Sequence, residues 1–343
     1  MIWLTWRQFR VQALTAVAVL VAVAILLGVT GPRMASLYAA SRLAGCQGDG
    51  CAGAASGFLN QLQTGAIDHV VYPLGLVLIL ATPALLGIFW GAPLIARELE
   101  TGTYRLAWNQ SVTRNRWLLA KLALTGLAAM AFTEALSLMH AWWADPISKA
   151  IALGGGASVL SGNRFSWLTF ASHGITPLGY AAFAFALGTV AGAVIRRTVP
   201  AMAVTLAIFA LVQVPMPLWV RPNLIPPAQT IATIDAAQVN YGSFTASAVP
   251  GQPAAWVVSS HAIDAAGRPV TAIPASCMPT YSPSAGYKGD PGQCMDKLGI
   301  REVVDYQPAS RYWPIQLIET GIFLVLALAL AGFCFWLLGR RRA

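Results

Sequence analysis

Val11 to Thr30 reads VQALTAVAVLVAVAILLGVT, a run with no charged residue. About 20 consecutive apolar residues in a helix span the hydrocarbon core of a bilayer. The run is too long for the apolar region of a signal peptide, and no A-x-A-like cleavage site follows it promptly. It therefore reads as a membrane helix that stays in the protein. Five more stretches follow the same rule: Val70 to Ala96, Leu118 to Trp143, Ile175 to Ile195, Val199 to Val220 and Ile315 to Leu338. Pro73, Pro83 and Pro93 interrupt the second. The third carries Lys121, Glu134 and His140, and the sixth carries Glu319.

Composition agrees. Of 343 residues, 57% are hydrophobic and only 10% are charged, whereas ordinary soluble domains carry about 25% charged residues. A soluble particle of this size could not cover its surface with so few polar groups. Soluble enzymes, nucleic-acid binders and disordered tails are thereby disfavoured. The net charge of +9 reads as a topology signal and not as a nucleic-acid footprint.

With a cytoplasmic N-terminus, the inside segments are 1–10, 97–117, 196–198 and 339–343. They total 39 residues and hold 11 arginines. The outside segments are 31–69, 144–174 and 221–314, which total 164 residues and hold 10 Lys and Arg. That contrast in density places both termini inside. The cysteines fit the same topology. Cys46 and Cys51 share the first outside segment, Cys277 and Cys294 share the last, and Cys334 lies in the sixth span. Two pairs on the oxidising side are expected to form two disulfides. Sequence does not fix their connectivity, although each loop offers a local partner.

The opening MIWLTWRQFR places Trp3 and Trp6, and Arg7 and Arg10, three residues apart. It reads either as an interfacial amphipathic helix or as the first turns of span 1, and the interfacial helix is favoured. Residues 31–69 read as a small disulfide-pinned cap. Residues 221–314 are long enough for an extracellular subdomain, with strand-like stretches at Ala254 to Val258 and Val270 to Ile273. The architecture expected is an all-α polytopic membrane protein. Residues 1–220 hold five spans and a cytoplasmic loop at 97–117, residues 221–314 form the subdomain, and residues 315–343 form the sixth span and a basic tail.

Enzyme signatures are missing. No G-x-x-x-x-G-K-[ST], H-E-x-x-H or C-x-x-C occurs, so the chain is expected to hold no nucleotide, metal or haem of its own and to be no enzyme. His69, His173 and His261 fall in or beside outside loops and only His140 lies in a span, so no histidine pair is expected inside the bundle. No Asp lies in any span, which leaves an aspartyl intramembrane protease without its pair. Two carboxyls do lie within apolar spans. Glu134 is about 16 residues, or roughly 24 Å, above Leu118; it is a candidate for the substrate path because an intramembrane carboxyl is costly. Glu319 is expected to reach interfacial water.

The loop ARELETGTYRLAWNQSVTRNRWLLAKL, Ala96 to Leu122, carries the remaining signal. It resembles the loop that marks permease subunits of type-2 ATP-binding cassette (ABC) exporters. There an acidic stretch precedes Gly-Thr, a leucine-containing turn, Ser-x-x-Arg and a basic residue entering the next helix. The matching elements are Glu98, Glu100, Gly102, Thr103, Leu106, Ser111, Arg114 and Lys121. The opening WLTWRQFR and Trp108 to Ser111 resemble the actinobacterial branch, and six helices with both termini inside fit the family layout. The subdomain departs from it, because the family usually has only a short re-entrant turn between its last two helices.

The resemblance implies export of a lipophilic or peptide-like compound across the cell membrane. It implies a second permease copy or sister subunit, and separate ABC ATPase subunits that bind ATP and Mg. Glu98 and Glu100, taken to lie near a helix start and to face solvent, would meet such a partner. Two other readings stay open: a permease in a defence or sensing system, and a non-transporting scaffold or sensor with a ligand-binding ectodomain.

Overall fold

The computed structural model describes residues 2–46, 50–65, 68–102, 113–155, 163–234, 239–240, 243–244, 249, 251–278, 280–282, 286–288 and 291–340. Six helices among them are long and apolar enough to cross a membrane: Phe9–Ala40, Val70–Thr101, Asn115–Trp143, Thr176–Ile195, Thr198–Asn223 and Ala309–Arg340, here spans 1 to 6. Span 1 belongs to one unbroken helix, Ile2–Ala40. The opening residues are thus its first turns and not a separate interfacial helix. No Pro or Gly stands between them and Val11 to break the ladder.

Span 4 is the centre of the bundle and is buried along most of its length. Its sequence, TPLGYAAFAFALGTVAGAVI, explains this, since small residues let helix backbones approach closely. The contact with span 2 is the tightest. A Cβ at Gly188 would lie 2.2 Å from the Gly87 carbonyl oxygen, and one at Gly91 would lie 2.5 Å from that of Phe185. A Cβ at Gly192 would meet the Ala92 carbonyl oxygen at 2.3 Å. Two G-x-x-x-G ridges, Gly87/Gly91 and Gly188/Gly192, therefore lock spans 2 and 4 backbone to backbone. Beside prolines the helices carry π turns, Gly87–Gly91 between Pro83 and Pro93 in span 2 and Met216–Val220 after Pro215 in span 5.

At one end of the bundle a cap forms over spans 1 to 3. A helix at Cys51–Thr64 buries Phe58, Leu59 and Leu62 against Leu27, Met34, Tyr72 and Trp143. Trp143 Nε1 also donates to Thr30 Oγ1 at 2.9 Å. The disulfide Cys46–Cys51 pins the start of that helix.

The membrane part is helical, as expected, and the segment between spans 5 and 6, where strand-like stretches were expected, carries the strands. It holds strands β1 (Ala228–Ala232), β2 (Val239–Asn240), β3 (Ser243–Phe244), β4 (Trp256–Ile263), β5 (Pro269–Val270), β6 (Thr280–Ser282), β7 (Gly286–Lys288) and β8 (Arg301–Gln307). Four of them make an antiparallel sheet in the order β1-β8-β4-β5. The strand-like stretches of the sequence reading locate β4 and β5 only within a few residues, and β8 went unread. Ile234, Ala262, Met295 and Ile300 form a small core beside the disulfide Cys277–Cys294, which ties a tight turn to the short helix Pro291–Lys297. The subdomain thus has its own core and staple.

Candidate functional site

The sheet sits at one end of the bundle, and the other end carries the short, arginine-rich connections. There span 2 ends at Thr101, and Gly102 follows at φ +72°, the left-handed conformation that commonly closes a helix. Glu98 and Glu100 therefore lie in the last turns of a helix, where the dipole disfavours them, and not near a start as the sequence reading held. Both are compensated by partners within the chain. Lys121 Nζ in span 3 forms an ion pair with Glu98 Oε1, and the two side chains are only 4% and 14% exposed. Lys121 also stands 4.8 Å from the ring centre of Trp117. Glu100 Oε2 accepts from the Thr198 amide at 3.3 Å and from its hydroxyl at 2.8 Å, which caps the start of span 5. The end of span 2 is thus clasped to spans 3 and 5. Thr103, Leu106 and Ser111 lie outside the described residues, and Arg114 opens the helix that becomes span 3.

Beside this clasp lies a cavity of about 490 Å³ between spans 1, 2 and 3. Phe9, Trp90, Pro93 and Leu94 form its apolar wall; Gln12, Arg97, Thr101 and Thr125 join the Glu98–Lys121 pair on the polar side. Phe9 meets Trp90 edge to face at 4.8 Å. Gln12 Nε2 donates to the Phe89 carbonyl at 3.3 Å, a carbonyl inside the π turn.

Glu134 is half-buried, and its Oε2 has no hydrogen-bond partner among the described residues. It shares a helix face with Leu127 and Leu138, which are 61% and 59% exposed. Glu319 differs from the expectation that it reaches water. It is completely buried and binds Arg221 and Tyr180. Arg221, counted by sequence as an outside-loop residue, is 1% exposed at the end of span 5. An unpaired carboxyl at that position would be costly, so the pair and the fold are mutually dependent.

A histidine pair does exist within the bundle, contrary to the sequence reading. His140 Nδ1 lies 2.9 Å from His173 Nε2, and His140 Nε2 lies 3.2 Å from the Tyr72 carbonyl. The carbonyl can only accept, so His140 donates through Nε2, and His173 then donates to its Nδ1. Burial, and His140 beside it, pull the His173 pKa down to about 3. His173 was missed because the segment Trp167–Ser172 that precedes it folds into the bundle although it lies between spans. Nothing in the sequence joins Glu319 to Arg221, 98 residues away, whereas the spacing of four in Gly87/Gly91 and Gly188/Gly192 is a signal that could have found the glycine contact.

A family model described as ABC-2 membrane transporter related matches residues 17–221, more than half of the chain. The chain belongs to this family. The match runs through spans 1 to 5 and stops at Arg221, so the sheet subdomain lies beyond the matched part of this ABC-2-related membrane protein. No curated protein and no solved structure is significantly similar to it. With six apolar helices, this family member is a multi-pass membrane permease.

Proposed function

We propose that the chain is the membrane half of an ABC exporter of the cell membrane, driven by ATP hydrolysed on separate ATPase subunits. The observation that carries this reading is the clasp at the end of span 2. A partner pressing on segment 97–117 would displace Glu98 and Glu100, and with them spans 3 and 5, so one push would reach three helices. In this reading both termini are cytoplasmic, because the arginine density favours that side. A second copy or a sister subunit completes the path, and the cargo is a lipophilic or peptide-like compound. Glu134, whose Oε2 has no hydrogen-bond partner among the described residues, is the group assigned to the cargo path.

Affinity purification of the full chain from its native membrane tests the assignment. An ABC ATPase should co-purify, and its hydrolysis should depend on the permease. Recovery of the intact chain with no ATPase would overturn it in favour of a scaffold or sensor with a ligand-binding ectodomain. Orientation is tested separately. A reporter active only in the cytoplasm should work when fused after Arg342 and stay silent when inserted near Gly286.

A further inference from the structure

We infer that the cavity between spans 1, 2 and 3 binds the headgroup of an anionic phospholipid. Its volume of about 490 Å³ lies within the roughly 300–1,000 Å³ of ordinary ligand sites. Its charge is unbalanced. Glu98 is engaged by Lys121, whereas Arg97 is exposed and has no ion pair or hydrogen bond to its guanidinium among the described residues. Guanidinium is a planar, weakly hydrated cation whose fork of donors matches the oxygens of a phosphate. Gln12 and Thr125 add neutral polar groups to the same wall.

Phe9, Trp90, Pro93 and Leu94 make the apolar part of the lining, and apolar surface continues beside it on span 2. Phe89, whose carbonyl accepts from Gln12 of the cavity wall, is 54% exposed on span 2. A soluble anion would leave that face unused, while an acyl chain would cover it. The cavity also lies at the end of the bundle, at the depth of Phe9 in span 1 and Thr101 in span 2, where headgroups meet hydrocarbon. One amphiphile fills both requirements. The occupant is a phosphodiester lipid with a net negative charge, held at Arg97, its chains lying along Phe89. This inference does not depend on an ATPase partner or on the identity of any cargo.

The test uses the purified full chain in phosphatidylcholine nanodiscs doped with a photoactivatable phosphatidylglycerol. Labelled peptides should concentrate on segments containing Phe9 to Thr15 and Phe89 to Thr101. A photoactivatable phosphatidylcholine should label them much less. Arg97→Gln should lower labelling there about tenfold, the scale of one charge-assisted contact. Leu94→Trp, which fills the cavity and leaves every charge in place, should lower it as well. Equal labelling by the two lipids, or labelling unchanged in both variants, would overturn the assignment. Loss of labelling on adding glycerol 3-phosphate would also overturn it, because a soluble anion would then be the occupant. Arg97 is exposed, so the Arg97→Gln protein is expected to fold. Size-exclusion profiles matching the parent check this.

Discussion

Arg221 and Glu319 hold each other in a two-pronged ion pair with almost no access to solvent. Nε donates to Oε2 at 2.8 Å and a terminal guanidinium nitrogen donates to Oε1 at 3.0 Å. The guanidinium also lies 4.0 Å from the ring centre of Phe170. This pair joins the end of span 5, where the subdomain begins, to the start of span 6, where it ends. Removing one partner leaves a buried charge uncompensated, at a cost of about 3–5 kcal/mol. Arg221→Leu and Glu319→Leu should each lower the thermal stability of the purified protein strongly. The double variant should recover much of the loss, because it buries no charge at all. A double variant less stable than either single one would show that the pair is not acting as a unit.

The glycine ridges make a second, sharper prediction. Gly188→Ala would set a methyl carbon 2.2 Å from the Gly87 carbonyl oxygen, and that backbone cannot swing aside as a side chain could. Overpacking of this kind costs about 1–3 kcal/mol. Gly332→Ala in span 6, where an added Cβ meets nothing within 4 Å, serves as the control. Thermal unfolding should separate the two, with the control close to the parent. Equal melting of both variants would remove the locked contact between spans 2 and 4.

The spans were legible because length and uniform apolarity are one-dimensional properties, and all six appear within a few residues at most ends. What those spans do to one another was less so. Glu319 read as a group reaching water because a single sequence does not show that Arg221 curls under the membrane boundary to meet it. Glu98 and Glu100 read as solvent-facing for the same reason, since Lys121 and Thr198 lie 23 and 98 residues further along the chain. The sheet was only partly legible. β5 has two residues, and β8, Arg301 to Gln307, carries Glu302 buried among its apolar positions. Neither presents a clean alternation of polar and apolar residues.

His173 gives the fold a pH dependence whose sign can be worked out. Its folded pKa, about 3, is below the ordinary 6.5, so the unfolded chain takes up this proton first as pH falls. Stability is therefore fully present above about pH 6.5 and is lost progressively toward the folded value. Between pH 6.5 and about pH 5 the loss from this group is about 2 kcal/mol. Melting temperatures across that interval should fall for the parent and fall less for His173→Gln. The same slope in both proteins would assign the pH dependence to other groups.

The clasp at Glu98 yields the last prediction, and it separates an internal role from docking. Glu98→Lys places a second cation against Lys121, whose side chain is 4% exposed. The permease itself should therefore be destabilised, not merely its assembly. Lys121→Glu does the converse and should be equally harmful. Combining the two restores an ion pair with the charges exchanged, so membrane level and melting temperature should return toward those of the parent. Glu100→Gln keeps an oxygen acceptor for Thr198 and should cost at most about 1 kcal/mol, the scale of a weakened cap. ATPase recovery is then measured on the stable charge-swapped protein. Restored folding with ATPase recovery still lost would place Glu98 at the docking surface as well as in the clasp. Restored folding with full recovery would confine Glu98 to holding spans 2 and 3 together. A charge-swapped protein no more stable than Glu98→Lys would refute the ion pair as the source of the effect.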